Sequence, residues 1–387
     1  MTPIKYSGSA QEPVTSLPPN KASVNFVKEH QLRLAGTSMR AEFPKHLVAD
    51  LAWNGADIMP NDYIYRLSDL DQMEIDDALH LFLGEELDGD LVDCTNFPLP
   101  NLGPRLQEFS LDLHYGKGFF LIRGFNHEKY SVEATTIIFL GIQAYIAEKR
   151  GRQDELGNMI VHIRPREAQS SLSSPVEHSR HSNVALPFHT DWGDILAFHT
   201  RSSTPNQGNC VVSSAYTIYN VLAKSRPDII QTLARADWPF TSPYPHRRPI
   251  LFYCKSKLIM NFQPDSLFER ERYPRPLDFP RCTAAQIKAL EVVQAVAEAH
   301  SYRFTTQTGD FHFINNLAIL HGREEFSNDQ GNKRHLVRMW LRNEELGWDI
   351  PDVLETLWAA IFEGDANRTL TIEPMPERFF PLKRYPN

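Results

Sequence analysis

The sequence predicts a mainly β fold decorated with helices, its core a double-stranded β-helix (jelly roll). Short strand-like runs crowd the middle of the chain, in "ILAFHT", "NCVVSSAYTI" and "ILFYCKSKLIMNF". They return near the end in "GDFHFINNLAILHGREEF" and "KRHLVRMWLR", after a single helical interruption, "TAAQIKALEVVQAVAEAHS". Strands that recur on both sides of a helical insertion suit a barrel or jelly roll.

Taken in order, residues 1–22 are rich in Pro, Ser and Thr and read as a mobile lead-in. Residues 23–387 are expected to form a single domain that opens with a helical region. Its first helix is predicted in "QMEIDDALHLFLGEEL", from about residue 72. "GKGFFLIRGF" (116–125) is expected as a buried strand between glycines, and "SVEATTIIFLGIQAYIAEKR" as the helix after it. Residues 164–187 have no clear periodicity and are rich in serine. A stretch that long without structure inside a compact protein reads as a lid, because it runs directly into His189.

Composition narrows the function. A chain of 387 residues can bury a large core, and its net charge of −8 argues against a general nucleic-acid surface. No apolar run reaches about 18 residues, so no membrane span is expected. The N-terminus has no apolar signal-peptide core. The four cysteines, Cys94, Cys210, Cys254 and Cys282, form no CxxC pair and fit free thiols in a reducing, cytoplasmic setting.

The chemistry starts at "LPFHTDWGDILAFH". Among fifteen histidines only His189 has an acidic residue, Asp191, two positions later. On a strand both side chains point to one face. Chance alone gives about one such pair, and a core histidine beside a capping aspartate is the plain alternative. Downstream, "NNLAILHGR" puts His321 at the end of an apolar strand. Two histidines and a carboxylate on different strands can hold one face of an octahedral metal, leaving positions open on Fe(II). A zinc site of the H-E-x-x-H kind is absent. In "KRHLVRMWLR", Arg334, Leu336, Arg338, Trp340 and Arg342 share one strand face. Guanidiniums turned into a barrel need an anion, and their fork matches a carboxylate.

H-x-D, a distant histidine in "GDFHFINNLAILHGR" and then R-x-x-x-R together resemble the taurine dioxygenase / TfdA-like family of Fe(II)- and 2-oxoglutarate-dependent oxygenases. "GKGFFLIRGF" is similar to that family's N-terminal strand, and "FLG" (139–141) to its next helix. The likeness spans roughly residues 110–345. It implies His189, Asp191 and His321 as iron ligands, Arg334 as partner of the distal 2-oxoglutarate carboxylate, and Arg338 as a substrate-side anion contact. It also implies O2 as oxidant and a C–H bond of a small anionic substrate as target, with hydroxylation, desaturation or ring closure as outcome. The setting would be small-molecule metabolism. Where the family often has Gly-Gly-Asp-Thr, this chain reads "QGNCVVSS", with Cys210 in the threonine's place. A thiol donates more weakly than a hydroxyl, so Arg334 holds the cosubstrate alone or with Ser213 or Ser214. A cupin-like metalloenzyme without 2-oxoglutarate, or a metal-free jelly-roll binding module, are the competing readings.

Overall fold

The computed structural model describes residues 43–154, 157–164, 182–203, 208–268, 275–326, 334–363 and 368–372. The expected lead-in, 1–22, and residues 165–181 of the expected lid lie outside the described residues.

The first part of the chain mixes short strands and helices. Strand β1 (Ile64–Arg66) precedes helices α1 (Asp69–Gly84) and α2 (Leu102–Tyr115). Strand β2 (Phe119–Arg123) then leads to helix α3 (Val132–Ala144) and strands β3 (Lys149–Gly151) and β4 (Val161–Ile163). The central strands are β5 (Leu186–His189), β6 (Ile195–Ser202) and β7 (Cys210–Ser214). Helices α4 (Ala215–Ser225) and α5 (Pro227–Leu233) follow, then the pairs β8 (Trp238–Phe240) with β9 (His246–Arg248) and β10 (Leu251–Cys254) with β11 (Lys257–Met260). Helix α6 (Ala284–Ala299) returns the chain to β12 (Tyr302–Phe304), β13 (Phe311–Asn315), β14 (Ile319–Arg323) and β15 (His335–Arg342), and α7 (Asp352–Phe362) comes last.

Two sheets form the jelly roll. The larger runs β1-β2-β13-β6-β15-β3, with β4 also paired to β15, and the smaller runs β12-β7-β14-β5. Side-chain alternation builds two cores from the same strands. Phe119 and Leu121 of β2, Leu196 and Phe198 of β6, and Leu336 and Trp340 of β15 join the interior cluster with Val212 and Ile319 of the smaller sheet. Phe120, Ile122, Ala197, Val337 and Met339 turn outward and pack under α1, α2 and α3. Both faces of the large sheet are therefore buried, which explains its nearly continuous apolar runs.

Several elements differ from expectation. "NCVVSSAYTI" is strand only through Ser214. The Ser214 side chain accepts the Thr217 N–H at 3.1 Å and caps α4, and this local hydrogen bond diverts the chain from strand to helix. "ILFYCKSKLIMNF" folds back on itself, with Lys255 and Ser256 at left-handed φ of 44° and 65° forming a two-residue turn. The helix after β2 ends at Ala144, five residues before β3 begins, because its last residues are claimed by pairing with β15.

Candidate metal centre

His189 and His321 sit directly opposite each other on β5 and β14. Residues opposite in an antiparallel pair share a face, so both rings enter the barrel, their centroids 4.3 Å apart. Asp191 follows β5 and is held by Asn316. The Asn316 Oδ1 accepts the Asp191 N–H at 2.8 Å, and its Nδ2 donates to the carbonyls of Asp191 (2.9 Å) and Gly193 (2.8 Å). One ligand atom from each of His189, Asp191 and His321 lies within 4.8 Å of the others.

The protonation states suit a cation. Burial, with His189 beside it, pushes the His321 imidazole down to about 3, so it is neutral and offers a lone pair. The Nδ1 of His189 lies 2.8 Å from the Pro187 carbonyl; an N–H there leaves Nε2 as the donor to a metal. Burial alone would push Asp191 up. The Arg338 guanidinium, with His321 and His189, more than offsets that and holds the carboxyl below the usual aspartate range. Two imidazoles and one carboxylate whose ligand atoms converge within 4.8 Å fit Fe(II) with open positions.

The three arginines at and just before β15 share a strand face by alternation but meet different partners. Arg338 Nη1 donates to Asp191 Oδ2 at 2.5 Å, while its Nε donates to Gln153 Oε1 at 2.9 Å. This ion pair is with the carboxylate of the candidate triad; Nη2 has no partner among the described residues. Arg342 is taken up by Asp194, Nη1 to Oδ2 at 2.8 Å. Arg334 is 6% exposed, and no carboxylate pairs with it among the described residues. Burial, with Arg323 close by, pushes it down to about 10, so it stays charged at neutral pH. Gly208, at φ +60°, makes room for it: a Cβ there would come within 2.9 Å of Arg334 Nε.

Cys210 does stand beside Arg334. Burial pushes its thiol up to about 12, with Arg334 drawing it the other way, so it is uncharged. The two serines are placed elsewhere. Ser214 caps α4 and donates to the Leu51 carbonyl, and Ser213 alternates to the face opposite Cys210 and Val212. Sequence reasoning missed His312 of β13, which is buried, stacks on Phe198 at 4.5 Å and carries an unpartnered Nδ1. Burial, then Arg334, pushes it down to about 3. Alternation in "GDFHFIN" puts His312 on the interior face and was the signal available.

A jelly roll that brings two histidines and an aspartate together, and buries an arginine with no carboxylate partner among the described residues, fits the non-haem Fe(II), 2-oxoglutarate-dependent dioxygenases. The model of the taurine catabolism dioxygenase TauD, TfdA family matches residues 83–340, and the chain belongs to that family. It is 33% identical over 342 residues to the taurine hydroxylase-like protein SAT17 of Stachybotrys chartarum, covering 84% of this chain and 88% of that one. Asparagine oxygenase, solved with Fe(II), 3-hydroxyasparagine and succinate, superposes with a TM-score of 0.56 at 14% identity, over 74% of this chain and 98% of its own. The iron oxygenase OrfP, solved with Fe, succinate and (3S)-hydroxy-L-Arg, gives 0.54 at 15% identity, over 73% and 94%. Among the described residues no helix is long and apolar enough to cross a membrane.

Proposed function

We propose that this dioxygenase oxidises a C–H bond of a small carboxylate- or sulfonate-bearing molecule, an amino acid or a similar acid. In this reading His189, Asp191 and His321 hold Fe(II), Arg334 holds the distal carboxylate of 2-oxoglutarate, and Arg338 offers its remaining Nη2 to the substrate anion. The observation that carries it is the three ligand atoms within 4.8 Å of one another, with Arg334 buried and lacking a carboxylate among the described residues. Solved relatives of this fold hold hydroxylated asparagine and arginine, which supports an amino-acid-like substrate.

When bound, iron with 2-oxoglutarate and O2 supplies an oxidative decarboxylation to succinate and CO2 that is coupled to oxidation of the substrate. The chain's own work is positioning. Asn316 fixes the turn that carries Asp191, Gln153 fixes the direction of Arg338, and the apolar interior keeps bulk water away. The four described cysteines are free, which supports a reducing, cytoplasmic setting.

Metal content and succinate formation test the reading. Ala at His189, Asp191 or His321 is expected to lower bound Fe(II) sharply and abolish succinate formation, because each removes one protein ligand of three. A His321→Ala protein with normal iron and turnover overturns the ligand set. Candidate acids are then screened by the ratio of oxidised product to succinate.

A further inference from the structure

We infer that Arg323 is a second cation of the cosubstrate-carboxylate site, and that with Arg334 it makes the site select a 2-oxo acid bearing a distal carboxylate. The inference rests on the assignment of Arg334 made above. Arg323 lies two residues beyond His321 on β14, hence on the same strand face, and Cys210 stands directly opposite it on β7. Cys210 is also the thiol beside Arg334. The two guanidiniums meet one ring, their Cζ atoms 4.9 Å (Arg323) and 5.3 Å (Arg334) from the centre of Phe326.

Each of these arginines is 6% exposed, and among the described residues neither pairs with a carboxylate. Arg323 Nη2 donates to the carbonyls of Ser182 (2.6 Å) and Val184 (2.7 Å), but its Nε is buried without a partner. The nearest acid in sequence, Glu324, is committed to Arg303 at 2.6 Å and Asn209 at 2.7 Å. The neighbouring His312 is neutral and compensates nothing. Two buried positive charges that share a π face repel each other, and among the described residues they lack the counter-charge that makes such burial tolerable. A carboxylate gripped by Arg334 would sit in the field of Arg323 as well, so both cations favour it.

The alternative is that Arg323 only anchors the chain at Ser182 and Val184. Two probes separate these roles: 2-oxoglutarate, and 2-oxopentanoate, which keeps the metal-chelating end and replaces the distal carboxylate with a methyl. Fe(II)-loaded protein is titrated with each without oxygen. Binding is read from the visible charge-transfer absorption of the chelate and from the thermal shift. Arg323→Gln is expected to weaken 2-oxoglutarate about tenfold, the effect of removing one nearby buried charge, and to leave 2-oxopentanoate within about twofold. Arg323→Lys keeps the charge but moves the donor away from the Nη2 position that meets both carbonyls, so the ratio of the two affinities should stay near wild type. Equal weakening of both acids, or no weakening of 2-oxoglutarate, overturns the inference; so does a Lys variant whose affinity ratio collapses. Arg334→Gln tells the two failures apart. If it leaves 2-oxoglutarate binding unchanged, the cosubstrate assignment itself falls; if it weakens binding while Arg323→Gln does not, only the role of Arg323 falls.

Discussion

Replacing Arg338 with Gln removes the cation that holds Asp191 ionised before any metal arrives. The two side chains are 19% and 16% exposed and meet at 2.5 Å. Leaving one partner of a buried pair uncompensated costs about 3–5 kcal/mol, and the partial exposure here brings that to roughly 2–3 kcal/mol. For a chain of this size the loss amounts to about 2–4 °C in Tm. Its pH dependence follows from the direction of the shift. In the wild type the Asp191 carboxyl lies below its ordinary value, so the pair stabilises the fold above the usual aspartate range and is lost as pH falls through the lowered value. In the variant, burial is the largest influence, opposed only by the weaker pulls of His321, His189 and Trp340, and is expected to raise the carboxyl, so ionising it costs stability as pH rises. The gap between wild type and variant is therefore widest near pH 7.5 and narrows toward about pH 5. Thermal unfolding of chelator-treated protein at both pH values measures it. Metal-loaded protein should show a smaller gap, because the divalent ion then supplies the counter-charge. A loss that is the same at both pH values, or that is undiminished by metal, refutes the reasoning.

Arg334→Ala is expected to raise the 2-oxoglutarate requirement upwards of about 30-fold, as loss of a charge-assisted fork contact predicts. Arg342→Ala should leave that requirement unchanged in the same titration and instead lower stability, because it strips the cation from Asp194. Burial already pushes the Asp194 carboxyl up to about 6 despite Arg342 and Trp358. Gly141→Ala in α3 would set a Cβ 2.3 Å from the ring of Phe97, which is fully buried. The overpacking cost of about 1–3 kcal/mol should outweigh the better helix propensity of Ala and appear as a lower Tm.

Period-two alternation made much of the site legible in the sequence. His189 and Asp191 lie two positions apart, the spacing that shares a face on an extended chain, although Asp191 itself sits in the turn after β5; Arg338, Trp340 and Arg342 follow the rule on β15. The strand of "GKGFFLIRGF" and the helix of 283–301 are equally local: one is a short apolar run between glycines, the other a capped 3.6-residue pattern that starts at Thr283. Helices α2, α5 and α7 left weaker marks, and α4 was hidden behind "VVSSAYTI", whose β-branched residues mask the cap at Ser214.

What no local pattern contains is which anion or cation each inward side chain meets. Closure of the barrel brings β15 beside the turn after β5, and that contact gives Arg338 to Asp191, 147 residues away. The same closure sets Arg323 and Arg334 over the ring of Phe326, with Cys210 opposite Arg323 and no carboxylate partner for either arginine among the described residues, and alternation turns Ser213 to the other face. The sequence by itself determined the faces, because strand geometry repeats every two residues. The tertiary structure alone decided the partners, because sheet register and the approach of distant strands fix distances, and charge interactions depend on distance.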